Sequence, residues 1–399
     1  MIFEYTKGQR AVIDAAKHWY KNSSEQVFEF SGDPGTGKSV VLHAIVQELG
    51  LDYNKVAAMT FMGTAAIVMR LKGFRNAKTI HSWLFTPVKD IMYDDEGNEV
   101  TNTYFDRPVM DLEFIPKPLG DMDLIVIDEG GTVPYSLKSE IESRGIKILV
   151  AGDQSQLPPP IDRPAYLNSS SIMRLTEITR QAQNSAIIYL SQRAINGLPI
   201  HKGFYYPDAL VIDEDELTDQ MLLGSDIVLC GKNATKDILN RHIRHDLLQI
   251  ESSIPINGEK LICRKNNWKI ENQGINLANG LTGIVTNYPD VGLFDGKNFM
   301  IDFKPNLLNT SFRNIKCDYK YFIAPTDQKN ALKNSRFETG EKFEFAYATT
   351  THLSQGSQYA NGIYFEEYLS KDINRNLNFT GITRFSNSMI YVKPKRKFY

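Results

Sequence analysis

Cysteine is scarce in this chain, and it occurs without a regular pattern. Of the 399 residues only Cys230, Cys263 and Cys317 are cysteines, and they lie too far apart for a zinc-binding motif. No apolar run approaches the roughly 20 residues that cross a bilayer. The charges within residues 1–20 are not those of a secretory signal. We therefore expect a reduced, cytoplasmic protein with no disulfide framework, no zinc site and no membrane contact.

A large excess of charge of one sign is also missing. The formal net charge is −2, so no overall basic surface indicates nucleic acid as a partner. Hydrophobic residues make up 42% of the chain and charged residues 23%, which is typical of a globular protein. Any site for nucleic acid must therefore be a local groove.

A glycine-rich sequence at residues 32–39 is the most informative feature that is present. It reads Gly-Asp-Pro-Gly-Thr-Gly-Lys-Ser and lies between a strand-like and a helix-like stretch, as a P-loop does. Lys38 can reach the β- and γ-phosphates of a nucleotide, and the Ser39 hydroxyl can bind Mg²⁺. The predicted nucleotide-binding residues of this loop are Gly32, Asp33, Pro34, Gly35, Thr36, Gly37, Lys38 and Ser39. We therefore predict ATP and Mg²⁺ as cofactors.

An acid pair follows a second apolar run. Asp128 and Glu129 come directly after Leu124–Ile127. We predict that Asp128 holds Mg²⁺, directly or through water, and that Glu129 polarises the attacking water. Gln154, within residues 152–159, is predicted to contact the γ-phosphate, as a water-orienting glutamine does in other enzymes.

Two arginines stand in distinctive surroundings. Phosphoryl transfer requires positive charge on its transition state. Arg180 lies in the stretch 175–181 and Arg384 in the stretch 380–384. Either one alone is more often a solvated surface residue, but these settings predict that both are catalytic.

The order of apolar and polar stretches predicts an α/β fold. Short strands alternate with helices over residues 1–180, which is typical of a parallel sheet with helices on both faces. Residues 86–120 break this alternation with four prolines and a strong turn, which favours a β-hairpin insertion. Residues 286–344 indicate a small all-β insertion, in which Tyr319–Ile323 is predicted to be a strand. The parallel pattern is predicted to resume at Phe343.

The whole set of motifs resembles a superfamily 1 helicase, in the 1B branch that includes RecD and the Dda-type phage helicases. The P-loop alone indicates only an NTPase, whereas residues 152–159, 347–357 and 380–384 together are specific to helicases. The match covers nearly the whole chain and is carried by Gln9, 32–39, 60–66, 79–81, 128–129, 152–159, Arg180, 279–283, 347–357 and 380–384.

The resemblance implies two RecA-like domains that share one ATP at their interface. Gln9 would read the adenine, and Gln355 and Gly356 would approach the nucleotide from the second domain. The implied domains are 1–85 with 121–204 (first RecA-like), 86–120 (pin hairpin), 205–285 with 345–399 (second RecA-like) and 286–344 (small β-barrel-like insertion).

The resemblance also implies a strand of DNA lying across both domains. Hydroxyls and imidazoles could bind phosphate or stack on bases, although each could equally be structural. The DNA-binding candidates are Thr60, Thr64, His81, Pro158, Asn233, Thr349 and His352. Tyr93, Tyr104 or Phe105 could form the pin that stacks on the fork, or could pack the core of the insertion.

Four residues depart from the family pattern. Gly130 and Gly131 replace the usual Ala-Ser after the acid pair, and Leu353 replaces a lysine after His352. Phe385 replaces the usual alanine after Arg384. None of these departures alters a residue predicted to act on ATP. They bear on the rate of ATP hydrolysis and on the coupling between the ATP site and the DNA site.

These patterns leave three functions open. The first is a motor that moves 5′→3′ on single-stranded DNA and unwinds duplex at forks, where the polarity comes from the resemblance. The second is an ATP-gated clamp that does not unwind, and the third is the motor subunit of a nuclease complex. We expect a monomer, with single-stranded-DNA-binding, replication or recombination proteins as possible partners. The short length suggests a viral or accessory helicase.

Overall fold

The structure, a computed structural model, describes most of the chain in two compact units. The first unit comprises Met1–Thr79, Asp121–Glu251 and Ala346–Tyr399, and the second comprises Ile80–Gly120 and Ser252–Phe345. Within the described residues, no helix has both the length and the apolar character that crossing a membrane requires. The described residues are 4–91, 101–102, 107–108, 110–160, 162–178, 185–272, 275–287, 296–333, 340–371 and 373–395.

The first sheet of the first unit has six strands, and all its neighbouring strands pair in parallel. Its central strands are buried along their whole length, as expected when helices cover both faces. In spatial order the strands are Met173–Leu175, Val27–Gly32, Ile148–Gly152, Leu124–Ile127, Val56–Thr60 and Lys78–Thr79. The helices of this part are Lys7–Asn22, Lys38–Glu48, Gly63–Leu71 and Lys138–Glu142.

The second sheet of the first unit also has six strands. Its neighbouring strands pair in parallel, except that Gly203–Tyr205 and Ala209–Asp213 pair antiparallel. The strands are Gly203–Tyr205, Ala209–Asp213, Phe385–Lys393, Tyr359–Phe365, Ile227–Cys230 and Ala348–Thr350. The helices are Ala186–Ile195, Asp219–Gly224, Asn233–Arg241 and Asn374–Ile382, with a π-helical continuation at His242–Leu247.

Short 3₁₀ turns of the first unit are Tyr53–Lys55, Gly130–Thr132, Tyr135–Leu137 and Glu214–Glu216. The predicted α/β class is confirmed.

The second unit is mainly antiparallel. A five-stranded sheet has the order Phe312–Asp318, Asn298–Pro305, Thr282–Asn287, Lys260–Cys263 and Phe343–Phe345. Three two-stranded pairs are Asn267–Asn272 with Ile275–Leu277, Phe85–Ile91 with Met110–Pro116, and Thr101–Asn102 with Arg107–Pro108. Its helices are Ile80–Leu84, Tyr319–Ile323 and Thr326–Lys333. The pair at residues 85–91 and 110–116 is the predicted hairpin; the pin candidates Tyr93, Tyr104 and Phe105 lie outside the described residues.

The structure corrects two predicted domain boundaries. Lys260–Cys263 and Thr282–Asn287 pair with each other in the antiparallel sheet, so the second unit contains residues that the sequence assigned to the second α/β domain. The helix Ala186–Ile195 packs in one core with residues such as Tyr364 and Ile382, so it covers the second sheet and not the first.

Two local predictions were also wrong. Tyr319–Ile323 is a helix, because the Asp318 side chain caps it by accepting a hydrogen bond from the Tyr321 N–H at 3.0 Å. Phe343–Phe345 pairs antiparallel with Lys260–Cys263, so the parallel pattern resumes only at Ala348. Tyr319–Ile323 is rich in aromatic residues, and such a short apolar run fits a strand or a buried helix equally well.

Candidate nucleotide site and its link to the second sheet

In the P-loop, the Lys38 side chain folds back onto carbonyl oxygens of the loop itself. Gly37 has a φ of 81°, a left-handed conformation that glycine adopts without steric penalty, and the helix Lys38–Glu48 begins directly after it. The Lys38 ammonium donates to the carbonyl oxygens of Gly32 at 2.7 Å and Asp33 at 3.2 Å. The first N–H groups of a helix have no acceptor within the helix. Together with Lys38 they form an arrangement suited to phosphate.

Gln9 holds the loop from the side. Its side-chain oxygen accepts a hydrogen bond from the Thr6 N–H at 3.1 Å, and its amide donates to the Thr36 carbonyl at 2.9 Å. The side chain is buried and forms a capping box with Thr6 at the start of its helix. Both ends of the amide are thus engaged in the protein, so the structure gives Gln9 a bracing role in addition to the predicted contact with adenine.

Asp33 joins the P-loop to its surroundings by two side chains. Arg174 forms an ion pair with it at 2.5 Å, and the Gln192 amide donates to its other carboxylate oxygen at 3.2 Å. Gln192 belongs to the helix Ala186–Ile195, which packs on the second sheet. The first unit thus has two halves, the first built on the first sheet and the second built on the second sheet. The P-loop is in contact with both halves.

The acid pair is placed at the end of its strand in a strained conformation. Glu129 has a φ of 56°, which for a residue with a side chain carries a strain of about 1–3 kcal/mol and is typical of functional sites. Its N–H donates to the Asp128 carboxylate at 2.9 Å. Desolvation and the adjacent charge of Glu129 raise the pKa of Asp128 to about 6, against the opposing charges of Lys72 and Lys38.

The residues at this position fit a magnesium ion. The Ser39 hydroxyl and the Asp128 carboxylate are hard oxygen donors of the kind that magnesium prefers. Burial is the largest cause of the raised pKa of Asp128 and the charge of Glu129 adds to it, so the ionised acid pair lacks full compensation at this position. A divalent cation would supply that missing compensation.

The metal requirement should depend on pH. A carboxyl group with a pKa of about 6 is mostly neutral at lower pH, and a neutral carboxyl does not bind Mg²⁺. We expect the Mg²⁺ concentration for half-maximal ATP hydrolysis to be constant above about pH 7 and to rise about tenfold per pH unit below about pH 6. Measuring that concentration across this range, with the fold checked at each pH, tests the assignment; a constant value throughout would contradict it.

Two glutamines of residues 152–159, the predicted Gln154 and Gln156, differ in their surroundings. The Gln154 amide donates to the carbonyls of Leu167 at 2.8 Å and Ser169 at 3.2 Å, and it is exposed. Gln156, two residues later, is buried, and its side-chain oxygen has no hydrogen-bond partner among the described residues. Gln156 is thus better placed than Gln154 to respond to a ligand. Gln156 lies in the same motif as Gln154, but sequence patterns did not single it out.

Arg384 lies buried at the end of the helix Asn374–Ile382. Its guanidinium donates to the carbonyls of Thr380 at 3.1 Å and Ser357 at 3.3 Å. Burial lowers its pKa, while the charges of Glu129 and Asp153 from the first sheet oppose that shift. The structure therefore brings this arginine within electrostatic reach of Glu129 of the acid pair. Arg180 lies outside the described residues.

Residues 155–157 of the first half are bonded to the second half. The Leu157 N–H donates to the Thr380 hydroxyl at 2.9 Å, and the Gln355 amide donates to the Leu157 carbonyl at 2.8 Å. The Asn376 amide donates to the Ser155 carbonyl at 2.9 Å. A side chain at Gly356 would come within 3.0 Å of Thr64, so the two halves also approach closely there. Sequence patterns did not single out Asn376.

The predicted DNA-binding residues fall into two groups. Asn233 is exposed, Pro158 and His352 are partly buried, and His81, in the second unit, lies against the rings of Phe85 and Phe114. The side chains of Thr60, Thr64 and Thr349 are instead enclosed. Burial lowers the pKa of His81 and of His352, so both are suited to stacking or neutral hydrogen bonding rather than to charge pairing with phosphate.

Three of the four residues that depart from the family pattern have a packing explanation. A Cβ atom at Gly130 would lie 2.3 Å from the Val150 side chain, and one at Gly131 would lie 3.2 Å from the Asp153 carbonyl oxygen. Phe385 packs in the core of the second sheet, and a Cβ at Gly362 would lie 2.3 Å from its ring. These glycines leave the space that larger neighbours fill.

Replacing Gly130 with alanine should therefore destabilise the protein by about 1–3 kcal/mol, because Val150 must move from a packed position. Gly224 is the matched control, since a Cβ there meets no atom within 4 Å. Gly224→Ala should change the free energy of unfolding by less than about 0.5 kcal/mol. Denaturant unfolding of the three proteins measures this, and equal stabilities would refute the packing argument.

The fold and the site together define a class of protein. Two mainly parallel sheets, one of which carries a P-loop and an acid pair, are those of a P-loop NTPase. The model of the AAA domain family matches residues 4–220, which is more than half of the chain. The chain therefore belongs to the AAA domain family.

Three solved structures share the fold over almost the whole chain. A Pif1 helicase of Bacteroides bound to single-stranded DNA has a TM-score of 0.57 at 17% identity, over 98% of this chain and 92% of that one. A structure of two coordinating Pif1 helicases at forked DNA has a TM-score of 0.56 at 17% identity, with the same coverage. The Pif1 helicase of Candida albicans has a TM-score of 0.52 at 17% identity, over 98% and 94%. The chain therefore has the fold of these Pif1 helicases, and its family match together with the P-loop makes it a P-loop NTPase.

Proposed function

We propose that this protein is a motor that hydrolyses ATP to move 5′→3′ along single-stranded DNA and separates duplex ahead of it. The observation that carries the proposal is the set of hydrogen bonds around Leu157, which lies next to the buried Gln156 and is held by Thr380 and Gln355. A change at the γ-phosphate would thus act on a segment already bonded to the second sheet.

The first and second sheets would be the two RecA-like domains, with the hairpin and the antiparallel sheet as the insertions. Lys38 would hold the β- and γ-phosphates, Glu129 would polarise the attacking water, and Gln156 would face the γ-phosphate. Arg384 would approach the developing charge from the second domain. Magnesium, when bound at Ser39 and Asp128, would neutralise charge on the phosphates.

Movement would follow from making and breaking the contact between the two halves. ATP adds a charged bridge between Lys38 on one side and Arg384 on the other, and hydrolysis weakens it. The hydrogen bonds of Leu157 and Ser155 to the second half would carry this change into a shift of one sheet against the other.

Single-stranded DNA and fork DNA are the proposed partners. Solved structures of Pif1 helicases with this fold contain single-stranded DNA, and one concerns forked DNA. Asn233, Pro158 and His352 of the first unit would contact the strand, and His81 of the second unit is a separate proposed contact with DNA. We propose that one chain suffices for movement, and that single-stranded-DNA-binding, replication or recombination proteins act beside it.

Displacement of streptavidin from biotinylated oligonucleotides tests movement separately from unwinding. A motor moving 5′→3′ should strip streptavidin from the 3′ end with ATP and Mg²⁺ and leave the 5′ block in place. Displacement of streptavidin from the 5′ end alone would show that the motor moves 3′→5′. If streptavidin stayed bound at both ends while DNA stimulated ATP hydrolysis, the protein would be an ATP-gated clamp and not a motor.

A further inference from the structure

Lys72 places a positive charge at the residues that fit magnesium. It follows the helix Gly63–Leu71 directly, and its ammonium group donates to the Ser39 hydroxyl at 3.1 Å. Its charge also lowers the pKa of Asp128, with a larger effect than the charge of Lys38. The ammonium therefore bonds one of the two oxygen donors that fit magnesium and acts electrostatically on the other.

The backbone around Lys72 is fixed against the P-loop helix. Gly73 has a φ of 115°, and a Cβ there would lie 3.0 Å from the ring of His43. His43 belongs to the helix Lys38–Glu48, stacks on Phe74 with ring centroids 4.1 Å apart, and bonds the Tyr53 hydroxyl at 2.8 Å. The approach of Lys72 to Ser39 thus starts from a backbone position that packing holds in place.

A divalent cation and an ammonium group cannot both lie close to one hydroxyl oxygen without strong repulsion. We propose that Lys72 competes with the divalent metal for Ser39 and Asp128, and so sets the metal concentration that the ATPase requires. The proposal rests on the proposed ATPase site but not on movement along DNA. Lys72 is exposed, so its side chain can turn into solvent when the metal binds, and the competition is partial.

The charge of Lys72 is the property to vary. Lys72→Gln keeps a hydrogen-bond donor and removes the charge, whereas Lys72→Arg keeps the charge. Lys55→Gln is the matched control, because Lys55 is another lysine of the first unit, its side chain is 45% exposed, and it pairs with the exposed Asp121 at 2.8 Å. Thermal unfolding of all four proteins checks that each is folded.

Binding of Mn²⁺ in the presence of ADP, measured by electron paramagnetic resonance on the full chain, requires neither hydrolysis nor DNA. We expect Lys72→Gln to bind Mn²⁺ roughly 3- to 10-fold more tightly than the unaltered protein at low salt, and the difference to shrink at about 0.5 M salt because of screening. Lys72→Arg and Lys55→Gln should match the unaltered protein.

Unchanged or weaker Mn²⁺ binding by Lys72→Gln would overturn the proposal, since removal of a competing charge cannot have either effect. A parallel decrease in the Mg²⁺ concentration for half-maximal ATP hydrolysis is expected for the same variant. If the protein failed to move on DNA, the Mn²⁺ measurement would still decide the role of Lys72, so the two failures are distinguishable.

Discussion

Arg384→Ala is expected to lower the turnover number for ATP by about 10³-fold, the lower end of what a transition-state arginine contributes. The reason is its position: buried in the second half, yet within electrostatic reach of Glu129 and Asp153 in the first half. Affinity for ADP should change little, because the charge that Arg384 stabilises develops in the transition state. Steady-state hydrolysis and ADP titration measure the two quantities.

Because Arg384 is buried, loss of fold must be separated from loss of chemistry. Arg384→Lys keeps the charge but not the planar donor group, and it should recover only part of the activity. Arg193→Ala is a suitable control, since Arg193 bonds the Pro199 carbonyl within its own segment of the second half, at 2.9 Å. If the Arg384→Ala protein is folded and its turnover number is within about threefold of that of the unaltered protein, Arg384 does not take part in catalysis.

Lys38→Ala is expected to reduce ATP turnover to below about one hundredth of its normal value. Lys38 is held by the carbonyls of Gly32 and Asp33 at the start of the P-loop helix, where it can transfer its hydrogen bonds to phosphate oxygens. Binding to single-stranded DNA should persist, because the proposed DNA contacts lie elsewhere. ATP hydrolysis and fluorescence anisotropy with a labelled oligonucleotide measure these two effects.

Lys17→Ala provides the comparison, because Lys17 pairs with Glu48 at the opposite end of the same helix, at 2.7 Å. It should leave turnover unchanged. Normal turnover in Lys38→Ala would show that residues 32–39 are not the nucleotide site, whatever the fold. Loss of DNA binding together with turnover would show that the two sites are not separable.

The strands and the P-loop could be predicted because their signals are local. The apolar run Leu124–Ile127 is a strand with those same bounds, and the helix after Gly37 begins where the P-loop pattern requires. The parallel sheet follows from the alternation of such runs, whose side chains must be covered on both faces.

The rest depends on contacts between residues that are distant in sequence. Gln9 bonds Thr36 across 27 positions, and Lys72 bonds Ser39 across 33 positions. No local pattern reveals these contacts. The choice between Gln154 and Gln156 depends on the direction of each side chain, since both share one motif.

Strand separation with ATP and Mg²⁺, comparing duplexes that carry a 5′ or a 3′ single-stranded tail, tests the central claim most directly. We predict unwinding from the 5′ tail only, and none with Lys38→Ala. Unwinding from the 3′ tail alone would keep the helicase and contradict the proposed polarity. No unwinding from either tail, with DNA-stimulated hydrolysis intact, would contradict the claim that this ATPase separates strands by itself.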